Sequence, residues 1–414
     1  KHKIIRSMFN GSRGPLLRKA TALDWAGDPI EVGGRFAPKH GERDFDEMLA
    51  HFKDYTDIVG DHPLNLAVTS LAVNAYMLTG ESKYKEWLLE YVDAWVERTN
   101  NNGGIIPSNV GLDGTIGGEC QGKWYGGCYG WAFTVIVPQT GASADRNAVY
   151  RAIAGFGNAL LVTGNQFYTD VWRNMLNEIN NNKKTIDDQI MYPHMYGDQG
   201  WYSYKPNPYS HGALDVYYWS MKRDDLKYLP VDGWLGFLEG KNPNYPVDAL
   251  QRDFGTVRQK MEGMYNDSTT VDTRLSDDPM PFNPAIVKTL VELMLGGIPP
   301  RHGEPLHCRV RYFDPSNQRA GIPEDVAALV EKMTDDEVSL KLVNINPVEP
   351  RTVIVQGGAY AEHQVLDVTT DNQILSVNRS SFNVQLAPGS GSSIIIKMNR
   401  YANQPTFAFP WNRD

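Results

Sequence analysis

The chain has 414 residues, 41% hydrophobic and 21% charged, with a formal net charge of −9 at pH 7. That balance describes a folded globular protein and excludes a disordered one. No apolar run reaches the length that spans a bilayer, and the acidic balance argues against a nucleic-acid binder, which needs a broad basic face.

A chain of this length exceeds what one core usually serves, so about two domains are expected. It opens at Lys1 with no charged and apolar leader, which reads as a processed or trimmed chain. The segment through Arg43 mixes Gly, Pro and basic residues without a sustained period, and is expected to wrap a scaffold begun elsewhere. Helical periodicity sets in with DFDEMLAHFKDY and continues from His62 to Gly80, where LNLAVTSLAVNAYMLTG is apolar on nearly every face, the pattern of a buried helix. The next helix, YKEWLLEYVDAWVERT, places Trp87, Leu88, Val92, Trp95 and Val96 on one side and Glu86, Glu90, Asp93 and Glu97 on the other, and the Asn and Gly run from Asn100 to Gly104 stops it.

This pairing recurs 84 residues later. Asn74, Ala75, Thr79, Gly80 and Tyr84 return as Asn158, Ala159, Thr163, Gly164 and Tyr168, again followed by an aromatic-bearing helix. The unit is a helical hairpin of a buried helix, a Thr-Gly turn and an amphipathic helix, and such units stack because one alone cannot bury its apolar face. A weaker third version runs from Leu214 through Leu229. Long connections follow the first two hairpins, the first from Asn101 to Val137, and connections of that length are usually functional.

After Leu295 the composition changes. A Gly and Pro stretch leads to a candidate strand HCRVRYFD, a capped helix is expected at PEDVAALVEKM, and VSLKLVNIN, RTVIVQG, HQVLDVT, FNVQLA and SSIIIKMNR alternate as successive strands. The expected class is mainly α plus β, with helical hairpins over 1–300 and a smaller antiparallel β domain over 301–414. Three cysteines, Cys120, Cys128 and Cys308, make no disulfide framework, and their spacing is unlike that of a structural zinc site, so no metal or cofactor is expected.

Two connections carry the candidate chemistry. Met191 to His211, MYPHMYGDQGWYSYKPNPYSH, is loop-like in its Pro and Gly punctuation yet holds Tyr192, His194, Tyr196, Trp201, Tyr202, Tyr204, Tyr209 and His211. GGECQGKWYGGCYGW supplies Glu119, Lys123, Trp124, Tyr125, Tyr129 and Trp131 among glycines that let backbone approach a ligand. Rings with polar tips offer a stacking face and a hydrogen bond together, which suits sugars. The alternative is that the rings simply pack long connections onto the fold. A locally basic segment with Arg301, His302, His307, Arg309 and Arg311 is expected to close a third side and suits an anionic ligand.

With NAYMLTGESKY and NALLVTGNQFY as its repeats and a β domain behind them, the chain resembles the (α/α)-toroid polysaccharide lyases, and its hairpins alone resemble toroidal hydrolases acting on glucuronyl sugars. The legible hairpins are fewer than the six of a closed ring, and no family motif matches residue by residue. The resemblance implies a poly- or oligosaccharide substrate containing uronic acid and a secreted or periplasmic location. Elimination needs a group that neutralises the substrate carboxylate, for which Asn109, Arg252 and His302 are candidates. It also needs a base and an acid, for which His194 with Tyr196, Tyr202 or Tyr204 is suited. Hydrolysis instead needs two carboxyl groups; Glu119, Asp198 and Asp61 stand in or beside these loops, Glu119 being the acid candidate and Asp61 reading as a helix cap. Lys123, Trp124, Tyr125, Trp131, Trp201 and His211 complete the expected sugar-binding set, and a non-catalytic sugar-binding protein is the third reading.

Overall fold

The computed structural model describes residues 1–6, 9–11, 56–58, 60–127, 129–136, 143–268, 283–301, 303–371 and 373–413, with backbone alone for 9–11, 56–58 and 135–136. The expected helix DFDEMLAHFKDY, Cys128 and His302 lie outside the described residues.

The 84-residue repeat is a repeat of structure. A 3-10 turn at Pro63–Val68 leads into the first inner helix, Thr69–Thr79, and the outer helix Ser82–Asn101 returns beside it; Val149–Ala152, Ile153–Thr163 and Phe167–Asn181 repeat the plan. Both inner helices end on a glycine in the left-handed region, Gly80 at φ 71° and Gly164 at φ 69°, where a side chain would be strained. The preceding threonine bonds back to its own helix, Thr79 to the Ala75 carbonyl at 2.8 Å and Thr163 to the Ala159 carbonyl at 2.6 Å. Its hydroxyl also accepts the next helix's approach, from Glu81 N at 3.2 Å and Asn165 N at 3.1 Å.

The third version is present with different letters. Ala213–Ser220 is the inner helix, Met221 at φ 55° takes the glycine position, and Lys222 N donates to Ser220 Oγ at 3.1 Å. Its returning arm, Arg223–Tyr228, is a 3-10 helix. Neighbouring hairpins are tied in both layers: Asn158 Nδ2 donates to Thr69 Oγ1 at 2.8 Å and Ser70 Oγ at 3.0 Å between inner helices, and the Tyr168 hydroxyl donates to Asp93 at 2.8 Å between outer ones.

One expectation is corrected here. The first inner helix is not buried all round, since Leu71 and Leu78 lie on its exposed side, whereas Ile153–Val162 of the second is buried at every residue. The second inner helix has a hairpin on either side, with the Gly157 Cα against the Trp219 ring of the third.

Two antiparallel sheets follow. One has the strand order Arg319–Ala320, Val310–Asp314, Arg351–Gly357, Ser381–Leu386; the other has Val326–Met333, Glu337–Asn344, Gly391–Asn399, Gln364–Thr370, Gln373–Arg379. Strict alternation buries Val338, Leu340 and Leu342 of one strand and Ile394, Ile396 and Met398 of its neighbour. The expected helix PEDVAALVEKM is instead the strand Val326–Met333. Asp325 sits at φ 63° and its carbonyl accepts Ile345 N at 2.8 Å, so Pro323–Asp325 is a turn into a paired strand rather than a helix start. Mixed α and β structure is thus confirmed. Helices and sheets share one core: the Tyr218 hydroxyl donates to the Gly296 carbonyl at 2.8 Å, Arg400 donates to the Tyr218 and Trp219 carbonyls at 3.0 and 2.9 Å, and the C-terminal tail returns so that Phe407 N reaches the Met77 carbonyl at 3.2 Å.

Candidate functional site

The inner helices run side by side, so their N-terminal ends share one end of the helical layer. Pro63–Val68 packs on Val149–Ala152, and Gly212, at φ 81°, fits its Cα between Ile153 and Trp172 where a Cβ would lie 2.4 Å from both. Both aromatic connections gather at this end.

They meet directly. The Trp124 ring centroid lies 4.6 Å from that of Tyr196, Tyr125 lies 5.2 Å from Tyr196, and Trp131 lies 6.0 Å from Trp201 and 5.7 Å from Tyr209. Tyr196 N donates to the Trp131 carbonyl at 3.1 Å, and Asp198 accepts Lys123 Nζ and the Tyr125 hydroxyl, each at 2.8 Å. These two donors hold the Asp198 carboxyl below its ordinary range, and their hydrogen bonds to Asp198, with its charge, in turn raise Lys123 and Tyr125. The rings therefore pack on one another, and the two connections form one wall rather than two.

The second connection is not a loop. Met195–Gly197 and Gly200–Tyr202 pair as a hairpin around Asp198 and Gln199, with Gly200 at φ 87°. Within the hairpin Tyr196 sits opposite Trp201 on one face and Met195 opposite Tyr202 on the other. Ser203 follows at φ 53°, an uncommon backbone state for serine, and its hydroxyl bonds Asp145.

Several expected site residues support the wall and do not line it. Trp131 is wholly buried, its indole donating to the Ile106 carbonyl at 2.8 Å. Asn109 is also wholly buried, and its amide donates to the Lys123 and Gly126 carbonyls at 3.0 and 3.1 Å, which leaves no donor for a substrate carboxylate. The glycines serve close packing within the chain: a Cβ on Gly130 would stand 2.7 Å from both Ser108 Oγ and the Gly126 carbonyl. Glu119 sits on a short 3-10 turn, Gly118–Cys120, and its carboxylate accepts Leu112 N at 3.4 Å. Arg252 lies on the exposed face of helix Tyr245–Tyr265, which packs with Gly233–Leu238 and Lys288–Leu295. Asp61 is wholly buried, bound by Ile5 N, His62 N, Asn65 and Tyr91 at 2.8–3.1 Å; it pins the segment at Ile5 to the helices rather than facing solvent.

The half-exposed groups are another set. His194 Nε2 lies 3.1 Å from the Asn207 carbonyl, which assigns the proton to Nε2 and leaves Nδ1 as an acceptor; burial lowers its pKa. His211 stacks on Tyr150 with centroids 4.4 Å apart, and is held neutral by desolvation first and then by the nearby cations Lys205 and Arg301. Tyr202 donates to Thr134 Oγ1 at 2.8 Å, and Thr134 donates to Asp145 at 3.0 Å; burial raises the Tyr202 pKa and keeps the phenol protonated. Lys205 lies 3.5 Å from Asp145, and both charges act on His194. Arg301 bonds Asp215 in the first turn of the third inner helix. Tyr204 donates to the Asn182 carbonyl at 3.3 Å beneath Lys184. Thr134, Asp145, Tyr150 and Lys205 are site residues that no motif marks. The only hint is that Lys205 closes the aromatic run and Asp145 precedes the second hairpin.

Among the described residues no group of three or more His, Cys, Asp or Glu side chains is gathered so that it could hold a metal ion, and no helix is long and apolar enough to cross a membrane. A family model described as a domain of unknown function, DUF8034, matches residues 1–194, which takes in the first two hairpins and the first aromatic connection and ends at His194. No curated protein and no solved structure matches the chain.

Proposed function

We propose that this chain is a polysaccharide lyase built on an (α/α)-toroid scaffold, cleaving a uronic-acid-containing saccharide by β-elimination at the loop end of its inner helices. The observation that carries the reading is the gathering there of two neutral imidazoles, a protonated phenol and two cations: His194, His211, Tyr202, Lys205 and Arg301. Each type answers one demand of the reaction. A cation neutralises the uronate carboxylate and acidifies the adjacent C–H. A neutral imidazole with a free nitrogen takes that proton, and a phenol gives its proton to the leaving oxygen. His194 is assigned the base and Tyr202 the acid, with Thr134 and Asp145 holding Tyr202; the Asp145–Lys205 pair lies in the field of both. Trp124, Tyr125, Tyr196 and Trp201 supply the stacking face.

Hydrolysis by paired carboxyl groups is less well supported. Asp198 is tied to Lys123 and Tyr125 and held ionised, and Asp61 is sealed inside the fold. The test is incubation with a panel of uronate-containing poly- and oligosaccharides, following new reducing ends together with the ultraviolet absorbance of a conjugated double bond. Both signals are expected to rise. Reducing ends without absorbance would establish hydrolysis instead.

A further inference from the structure

The long helix Tyr245–Tyr265 buries only Tyr245 and Ala249. On its other side Val247, Leu250, Phe254, Val257, Met261 and Met264 follow at alternating spacings of three and four residues, the spacing of a two-stranded coiled-coil seam. Most of the seam faces solvent: Val247, Phe254, Met261 and Met264 are 59%, 62%, 57% and 47% exposed, while Val257 is half-buried and Leu250, at its inner edge, packs against the chain's own core. The helix also carries Gly255 and Gly263, where an added Cβ would meet nothing within 4 Å. In an exposed helix each costs about 1 kcal/mol relative to alanine, so packing must come from elsewhere.

We infer that this seam is the interface for a second copy of the chain, the two helices lying parallel across a twofold axis. The occupant is a helix because only a helix repeats its side chains at this spacing. It is the same helix because its central flanking pair is self-complementary in charge and the outer flanking pairs, Pro246 with Gln251 and Lys260 with Tyr265, bring no like charges together. In the heptad set by the seam, Asp253 and Arg258 occupy flanking positions five residues apart, the separation at which such positions face one another between parallel strands. Each Asp253 then meets the partner's Arg258, once on either side of the axis. Asp253 is half-buried and Arg258 exposed. The inference is independent of the catalytic reading.

Sedimentation equilibrium on the full chain tests it. A species of twice 46.4 kDa is expected. Phe254→Glu with Met261→Glu should raise the dimer dissociation constant by about 30-fold or more while leaving the far-ultraviolet circular dichroism spectrum unchanged. Asp253→Arg should weaken the dimer, and adding Arg258→Asp should restore it. Met261→Cys should form an inter-chain disulfide under mild oxidation, as parallel pairing requires. A monomeric wild type, or a dimer indifferent to Phe254→Glu with Met261→Glu, overturns the inference; so does a monomer whose melting temperature falls in that variant, which would mean that the chain covers its own seam.

Discussion

Two clusters of histidine and tyrosine in this molecule share a vocabulary and differ in access. At the loop end of the inner helices, His194, His211, Tyr150 and Tyr202 are only partly covered, with Lys205 and Arg301 beside them. Where helices meet sheets, His307, His363, Tyr218 and Tyr401 are sealed from solvent. There His307 Nδ1 and the Tyr401 hydroxyl share a hydrogen bond at 3.0 Å, His363 Nδ1 accepts Tyr401 N at 3.0 Å, and Glu362 accepts Tyr360 N at 2.7 Å and Ala359 N at 3.2 Å. The same residue types build chemistry where water and substrate can reach them and hold elements together where neither can. Exposure separates the two roles, and no motif in the chain announces it.

That comparison is open to being broken. The largest effect is expected at the open cluster: His194→Ala or Tyr202→Phe should lower kcat by about 10²- to 10⁴-fold, with the melting temperature nearly unchanged. A large loss of stability instead would make these groups structural, like those of the sealed cluster. Tyr401→Phe should do the reverse. Stability should fall by about 1–3 kcal/mol, because a buried imidazole loses its partner, and turnover per folded molecule should stay within about two-fold; denaturant unfolding and steady-state rates read the two.

The sealed cluster also sets a pH dependence. Burial lowers His307 to about 4 and His363 well below its ordinary value. Their contribution is complete above about pH 6.5, the unfolded value, and is lost as pH falls toward 4, because the unfolded chain takes up the protons first. Glu362 acts oppositely. Burial raises it to about 7, so its contribution is complete below about pH 4.5 and is lost as pH rises to 7. Two histidines outweigh one glutamate, and acid should destabilise the fold between pH 6.5 and 4. Glu362→Gln should sharpen the contrast by raising stability at pH 8 by up to about 3 kcal/mol, a gain that shrinks as pH falls and vanishes near 4.5. Melting curves across this range would reveal a flat difference if Glu362 were ordinary.

A finer contrast lies between the two hairpin turns. Gly164→Ala would place a Cβ 2.4 Å from the Tyr401 carbonyl, whereas Gly80→Ala meets nothing within 4 Å. The second should cost about 1 kcal/mol from its backbone state alone, and the first clearly more. Glu119→Gln, the smallest effect, should leave turnover unchanged; a severe loss would restore the carboxylate mechanism.

Much of the fold was legible because its signals are local. Threonine followed by glycine closes a helix by backbone geometry, so the first two hairpins could be read from letters. The third, over Leu214 to Leu229, was legible only faintly, because Ser220 and Met221 make the same turn without glycine. Val326–Met333 misled because Pro, Glu and Asp ahead of an apolar run open helices and turns alike, and only pairing with Glu337–Asn344 decides between them. The strand Gln373–Arg379 escaped notice since it lies at a sheet edge and is exposed along nearly its whole length. In the site, the convergence of the two aromatic connections was readable, but their alternation was not. Trp131 and Asn109 face inward, and Asp145, Thr134 and Lys205 reach Tyr202 and His194 only through the fold.

The most direct measurement is the initial rate of ultraviolet absorbance on the best uronate substrate for wild type, His194→Ala and Tyr202→Phe, each verified to melt like the wild type. Absorbance that rises with wild type and falls by about 100-fold or more in both variants is the predicted result. Absorbance that persists in both, or reducing ends that appear without it, would contradict elimination at this site.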